Sequence, residues 1–165
     1  MRYAPFLASF AVAAAVTGTA RAQSTAGQPG AHPAYHVDAE PHLIVGVGGP
    51  FQDAGGVGVG FRATFIALQN GFVKSINNNV GIGVGADFAF GNASHAFVPV
   101  VLQWNFFVSR SWSVFGEPGV GFFTAGSSAV HPVLFAGGRY LFSDRIALVL
   151  RAGYPEIAVG VSFLF

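Results

Sequence analysis

Between residues 42 and 165, large apolar residues alternate with glycine, alanine or polar residues, and this period of two constrains the fold more than any other feature. In the segment 80–90 the large set is Val80, Ile82, Val84, Ala86, Phe88 and Phe90, and the small or polar set is Gly81, Gly83, Gly85, Asp87 and Ala89. Glycine recurs inside nearly every apolar stretch, which argues against helix interiors. The apolar run of about 18 residues that a membrane-spanning helix needs is also missing. The pattern therefore predicts an all-β protein.

Turn residues divide this region into eight segments of strand length. The predicted strands are residues 42–49, 57–68, 80–90, 96–108, 112–124, 132–142, 146–153 and 156–165. Most links are short, and the longest is 69–79, on the side that also holds both ends of the predicted barrel. An even number of strands fits a closed antiparallel barrel, which leaves no unpaired edge in hydrocarbon.

Composition indicates which face of these strands meets lipid. Hydrophobic residues make up 52% of the chain and charged residues only 9%, against about 25% in ordinary soluble domains. The outer face of a soluble sandwich would carry Lys, Glu and Thr, whereas the second face here carries glycine. We therefore predict an eight-stranded antiparallel transmembrane β-barrel, whose large apolar face contacts lipid and whose glycine face lines a narrow lumen.

Charged and amide side chains within the strands can all be assigned to the same face as the glycines, with Arg139 the one ambiguous position. A charge facing lipid costs about 2–4 kcal/mol at the bilayer midplane, so these groups are expected to point inward and to pair. The predicted lumenal polar network is Arg62, Asp87, Gln103, Asn105, Glu117, Arg139 and Arg151. We expect two or three of the arginines to bridge Asp87 and Glu117. The favoured interpretation is a structural plug, and the alternative is an ion path. Glu156 has the same parity but lies at a strand end, where it can meet water.

The first part of the chain is predicted to be a targeting sequence followed by a linker. Residues 1–22 combine Arg2, an apolar stretch over 4–16 and a small–x–small ending, which predicts a signal peptide cleaved before Gln23; an uncleaved anchor helix is the alternative. Residues 23–41 are rich in Ala, Gly, Pro and His, and are predicted to form a flexible periplasmic segment before a barrel at 42–165. Its histidines form only a weak metal-binding signal, and no metal site is predicted.

Several kinds of chemistry are excluded or only weakly supported. The chain has no cysteine, which excludes a disulfide scaffold, a Cys-ligated metal and a thiol nucleophile. A net charge of +1 with scattered basic residues argues against a nucleic-acid partner. Candidate nucleophile–base pairs exist only at Ser94–His95 and at Ser127 and Ser128 near His131, in predicted outer loops without an orienting third group. We therefore predict no enzymatic activity and no cofactor.

The end of the chain resembles a known family. The last strand, Val159-Gly160-Val161-Ser162-Phe163-Leu164-Phe165, is similar to the terminal assembly signal of bacterial outer-membrane barrels, with Val161, Phe163 and Phe165 as the signal residues. Residues 42–165 resemble the small outer-membrane β-barrel superfamily, typified by the OmpA and OmpX transmembrane domains, opacity proteins and OmpW-like barrels. The resemblance implies a location in the outer membrane of a Gram-negative bacterium. It also implies contact with outer-membrane lipid, the barrel assembly machinery and periplasmic chaperones.

The resemblance implies less about the role of the protein. The predicted outer links 50–56, 91–95, 125–131 and 154–155 are short, which argues against adhesion. We predict a small non-enzymatic barrel with a structural or envelope-integrity role. The alternatives are a narrow channel for ions or small hydrophobic compounds, a lipid-modifying barrel enzyme, and a soluble lipocalin-like binder. The apolar surface could also support a homo-oligomer.

Overall fold

The computed structural model describes residues 24–48, 51, 56–90, 94–124 and 130–165. Within these ranges the chain forms eight strands, which are β1 (Val37–Gly46), β2 (Val57–Leu68), β3 (Asn78–Phe90), β4 (His95–Phe107), β5 (Trp112–Phe123), β6 (Val130–Leu141), β7 (Ile146–Tyr154) and β8 (Glu156–Leu164). Each strand pairs with the next in antiparallel register, and β1 pairs with β8, so the barrel is closed. The predicted fold class is confirmed. The described residues include no helix of the length and hydrophobicity needed to cross a bilayer.

The first strand begins earlier than predicted. β1 starts at Val37 rather than at residue 42, and its whole length pairs with β2 or β8. Residues 37–41, predicted to belong to the flexible segment, are therefore part of the barrel. The sequence explains this earlier start of β1. Asp38, Glu40 and His42 are spaced by two residues, as inward-facing residues of one strand are, and all three are buried. The predicted signal peptide, residues 1–22, lies outside the described residues.

The two faces of the strands differ as the alternation predicts. Along β6 and β8, exposed apolar residues alternate with buried ones; Leu134, for example, is 66% exposed and its neighbour Phe135 is completely buried. One exception is Val80, predicted to face lipid but buried at the start of β3. The adjacent loop packs on the same face, since Asn78 donates hydrogen bonds to the carbonyl oxygens of Val73 and Ile76.

Glycines on the inner face make room for large side chains. A Cβ atom at several of these positions would overlap an aromatic ring inside the barrel. The pairs are Gly121 with Phe97, Gly137 with Phe115, and Gly153 with Phe135. The lumen of an eight-stranded barrel is just wide enough for side chains to fill it. The lumenal positions are therefore glycine where a neighbouring aromatic ring occupies the space that a side chain would need.

The strand connections fall at two ends of the barrel. The end where β1 begins and β8 finishes also holds the links 69–77, 108–111 and 142–145, and we call it the periplasmic end by analogy with known barrels. The other end, called the outer end, holds the link 47–56 among others. Because β3 begins at Asn78, the link 47–56 is longer by one residue than 69–77. The prediction that the longest link lies at the periplasmic end is therefore wrong.

Aromatic side chains form a rim on the outside of the periplasmic end. Trp104 and Phe106 have ring centroids 4.7 Å apart. Tyr140 contacts Trp112 at 5.0 Å and Phe142 at 5.2 Å. Aromatic girdles, with Trp and Tyr as their amphipathic members, are typical of the level where lipid headgroups meet hydrocarbon.

Candidate functional site

The lumen is filled in layers, and the layer at the outer end is aromatic. Phe51, from the link 47–56, is completely buried, with its ring centroid 5.8 Å from those of Phe97 and Phe123. The rings of Phe97 and Phe123 are themselves 4.7 Å apart. These three rings close the barrel above its polar centre.

Glu117, on β5, is the hub of the polar layer. Its carboxylate accepts hydrogen bonds from Arg62 Nη1 at 3.1 Å, Arg151 Nε at 2.7 Å and Gln103 Nε2 at 2.6 Å. All four side chains are fully buried. Hydrogen bonds between ionised groups are stronger than neutral ones, and here they satisfy charges that lipid could not solvate.

The arginines extend this hub across the barrel. Arg62 also reaches Asp87, with its Nη2 atom 3.3 Å from Oδ2. Arg151 binds Glu40 with two parallel hydrogen bonds, of 2.7 and 2.9 Å. A bidentate pair of this kind fixes the planes of both groups. The hub therefore joins strands β1, β2, β3, β4, β5 and β7.

Arg139 lies in the part of the polar layer nearer the periplasmic end. It forms a salt bridge with Asp38 and donates a hydrogen bond to Asn105 Oδ1 at 3.2 Å. Asn105 in turn donates to Asn79 Oδ1 at 2.7 Å and to Gln103 Oε1 at 3.1 Å. The amides thus connect Arg139 to the groups around Glu117.

Two aromatic rings lie against the arginines. The guanidinium carbons of Arg139 and Arg151 are each 5.4 Å from the centroid of Phe115, and that of Arg62 is 5.2 Å from the centroid of Phe135. A cation over an aromatic face gains electrostatic energy, and the gain is larger where water is excluded. The rings therefore hold the arginines in place as well as filling volume.

The periplasmic end is closed by a second apolar layer and by the segment before β1. The layer consists of Tyr35, Phe107, Leu141, Ala147 and Leu164. The hydroxyl of Tyr35 accepts a hydrogen bond from Asn79 Nδ2 at 3.2 Å, and burial raises the pKa of this phenol above its ordinary value. Phe107 faces the lumen here and stacks on His32, with ring centroids 4.6 Å apart. The chain thus packs against the barrel before β1 begins.

The structure places all the residues of the predicted network on the lumenal side, fully buried. Only part of the expected pairing occurs among the described residues, because Arg62 is the single arginine that contacts both Asp87 and Glu117. Arg151 instead joins Glu117 to Glu40, and Arg139 pairs with Asp38. The expectation of two or three bridging arginines is therefore wrong.

Sequence reasoning missed the buried carboxylates of Asp38, Glu40 and Glu156, the imidazole of His42 and the amide of Asn79. Asp38, Glu40 and His42 lie in the predicted linker or at its border, although their spacing of two matches that of inward-facing residues. Glu156 has the inward parity at a strand end where water could reach it, and the structure buries it completely. Alternation along the strands indicates the four ionisable residues. The linker-like composition of residues 23–41 obscured Asp38 and Glu40, and the position at a strand end obscured Glu156.

The remaining candidate residues lie outside the lumenal layers. Val161, Phe163 and Phe165 point outward, and Phe165 is 70% exposed, while its backbone N–H donates to Val37 O at 2.9 Å. The ring of His131 packs edge-on against Phe123. Ser94 is exposed beside His95. Ser127 and Ser128 lie outside the described residues.

Comparison with known proteins supports the fold. A designed transmembrane β-barrel superposes with a TM-score of 0.56 at 18% identity, covering 85% of this chain and 99% of the design. The Yersinia pestis outer membrane protein Ail, in a phospholipid bilayer nanodisc, gives a TM-score of 0.54 at 10% identity, covering 80% of this chain and all of Ail. A second design, TMB2.3, gives 0.52 at 16% identity, covering 79% and 94%. No family model matches the sequence, and neither does any curated protein.

Proposed function

We propose that this protein is a small, non-enzymatic barrel of the bacterial outer membrane with a structural or envelope-integrity role. The observation that carries the proposal is the filled lumen. Aromatic rings close the outer end, the ion-pair network fills the centre, and the Tyr35 layer closes the periplasmic end. A barrel whose described lumenal residues form these three layers is suited to span and stabilise a membrane.

The outer surface supports the membrane assignment. Large apolar side chains such as Leu43, Phe61 and Leu150 are each about half exposed or more, and they surround the barrel. In water such a surface would drive association, whereas in a bilayer it matches the lipid tails. The rim of Trp and Tyr at the periplasmic end is suited to the lipid interface. The fold shared with a Yersinia outer membrane protein supports the outer membrane in particular.

We further propose that the final strand is recognised by the outer-membrane assembly machinery, after periplasmic chaperones have held the unfolded chain. The alternating outward residues Val161, Phe163 and Phe165 support this role, because they are accessible and contribute little to the lumen. Lipid is the principal partner of the outer surface. Contact between copies of the barrel through this surface is a further proposal.

Planar-bilayer recording tests the closed lumen. The full chain, refolded in detergent and added to a lipid bilayer, is expected to give no conductance steps, while a porin added to the same bilayer shows that the recording works. Discrete steps from the folded barrel would contradict the structural role and favour the narrow channel.

A gel and fractionation experiment tests the membrane assignment. We expect the folded protein to migrate differently in SDS gels before and after boiling, and to fractionate with the outer membrane of a Gram-negative host. A protein that stays soluble in the periplasm without detergent would favour the lipocalin-like alternative.

A further inference from the structure

A cluster of three lumenal side chains has more oxygen atoms than its hydrogen donors can satisfy. His42 on β1, Asp87 on β3 and Glu156 on β8 each offer one ligand atom, and these atoms all lie within 4.8 Å of one another. All three residues are buried. We propose that His42, Asp87 and Glu156 bind a divalent metal ion of the zinc type, a site that goes beyond the structural role proposed above.

The histidine ring faces oxygen atoms on both sides. Its Nδ1 atom is 3.2 Å from the backbone oxygen of Glu40, and its Nε2 atom is 2.8 Å from Asp87 Oδ1. A neutral imidazole carries one N–H, so it can donate to only one of these acceptors. If Nδ1 donates to Glu40, the lone pair of Nε2 points at a carboxylate oxygen. Either a second proton on the ring or a cation bound to Nε2 and Oδ1 satisfies both sides, and the two cases are separated by the metal counting below. With a cation bound, the Nδ1 bond would orient the ring, as it does in many metal sites.

Glu156 supplies an independent observation. It is completely buried, and neither of its carboxylate oxygens has a hydrogen-bond partner. The nearest cationic group is Arg62 Nη2, 3.8 Å from Oε1, which is beyond hydrogen-bond distance. A buried carboxylate without a partner is costly, and a metal ion would satisfy it directly.

The charge of the lumen points the same way. Within the described part of the chain, the buried carboxylates are Asp38, Glu40, Asp87, Glu117 and Glu156, and the buried guanidinium groups are Arg62, Arg139 and Arg151. If all five carboxylates are ionised and His42 is neutral, five negative and three positive charges leave two negative charges. One divalent cation at the cluster balances the lumen.

The backbone around the cluster leaves space for the ligand atoms. A Cβ atom at Gly60, on the neighbouring strand β2, would overlap both Asp87 Oδ1 and His42 Nε2. Arg62 holds the other Asp87 oxygen, Oδ2, at 3.3 Å, which leaves Oδ1 directed at the cluster. The missing side chain at Gly60 and the hydrogen bond from Arg62 thus hold Asp87 Oδ1 beside His42 Nε2.

The ligand types select the class of metal. One imidazole nitrogen and two carboxylate oxygens suit zinc and its first-row neighbours, whereas Mg²⁺ and Ca²⁺ prefer oxygen alone. Zinc binds such ligands at about 2.0–2.2 Å, so the ligand atoms around it stand about 3–4 Å apart. Binding therefore requires the distance between His42 Nε2 and Asp87 Oδ1 to widen from 2.8 Å, and the carboxylate of Glu156 to lie within the same spacing. The ion would join β3 to β1 and β8, the two strands whose pairing closes the barrel.

Metal counting tests the site. The untagged full chain is refolded in detergent with Zn²⁺, dialysed, and analysed by plasma mass spectrometry. We expect about one Zn²⁺ per chain, as for a single coupled site, and its loss in His42→Gln and Glu156→Gln. The matched controls His95→Gln and Asp144→Asn remove the same groups outside the cluster, and should keep the metal. A wild-type protein without zinc, or cluster variants that bind as much as wild type, would overturn the proposal.

Unfolding provides a readout that does not depend on metal counting. Glu156→Gln removes an unpaired buried charge, so without metal we expect it to unfold at a higher urea concentration than wild type. With Zn²⁺ the order should reverse, because only the wild type binds the ion, and Mg²⁺ should not cause the reversal. If Zn²⁺ leaves both midpoints unchanged, protons rather than a metal balance the lumen and the proposal fails. Neither result depends on whether the barrel conducts.

Discussion

Phe115 on β5 and Gly137 on β6 are directly opposite each other in the barrel wall, and the ring of Phe115 fills the space that a side chain at position 137 would need. The same ring lies 5.4 Å from the guanidinium carbons of Arg139 and Arg151. The absence of a side chain at Gly137 therefore sets the position of the ring against which two lumenal arginines pack.

Replacing Gly137 by Ala is expected to destabilise the barrel. The new methyl group overlaps both Phe115 and the backbone oxygen of Leu150, which cannot move aside. Overpacking of this kind costs about 1–3 kcal/mol. The urea midpoint of the refolded protein, followed by tryptophan fluorescence, measures the loss. Gly116→Ala is the control, because a Cβ atom at Gly116 meets nothing within 4 Å. Equal midpoints for the two variants would contradict the volume argument.

Replacing Glu117 by Gln should destabilise the barrel more strongly. The change removes the charge that Arg62 and Arg151 share, and it turns one acceptor into an N–H group facing other donors. Breaking one partner of a buried ion pair costs about 3–5 kcal/mol. The urea midpoint again gives the measurement. Asp144→Asn removes an exposed carboxylate from a periplasmic turn, and should leave the midpoint unchanged. A Glu117→Gln midpoint equal to that of wild type would show that the network adds no stability.

The segment before β1 should be protected from hydrogen exchange. The Thr25 amide donates to Val108 O at 3.1 Å, and the His36 amide donates to Phe165 O at 2.6 Å. A free linker would exchange both amides at the rate of an unstructured peptide. Exchange measured by NMR in detergent should be slow at these two positions and fast at Gly27, whose amide serves as the internal comparison. Fast exchange at all three would mean that the segment does not pack on the barrel.

Replacing Phe165 by Ala should slow assembly in cells while leaving stability nearly unchanged. The side chain is 70% exposed, and the backbone hydrogen bond to Val37 does not need it. An exposed substitution of this kind changes stability by about 0.5 kcal/mol or less. A pulse-chase assay of the boiled and unboiled forms measures assembly, and urea unfolding measures stability. Phe142→Ala removes an equally exposed ring at the same end, and should assemble at the wild-type rate. Equal assembly rates for both variants would argue against a specific role for Phe165.

Most of the fold could be predicted because the alternation has a single physical meaning in a barrel. Seven of the eight strands begin within two residues of the predicted start, since a register error would turn charged groups such as Arg62 and Asp87 toward lipid. The first strand was misplaced because Pro41 and the surrounding Ala and His residues have the composition of a linker. The alternation of inward and outward residues, which places Glu40 and His42 inside the barrel, indicates the start of this strand better than its composition does.

The pairing within the lumen could not be predicted in the same way. Parity indicates which side chains point inward, but it does not give their height or their direction across the barrel. Arg151 reaches Glu40 on β1 as well as Glu117 on β5, and this choice depends on strand stagger and side-chain length. The role of Phe51 was equally invisible, because it comes from a link and folds back into the lumen.

The exchange of volume between small and large lumenal residues has a consequence for how such a barrel evolves. Where a glycine gives way to a larger residue, the ring that occupies the space beside it must shrink, so positions 121 and 97, 137 and 115, and 153 and 135 are expected to change together among homologues. Outward positions such as 134 and 150 meet only lipid tails, and they should drift independently within the apolar residue types. We therefore expect correlated substitutions among pairs of lumenal residues. At outward positions we expect only the apolar character to be kept.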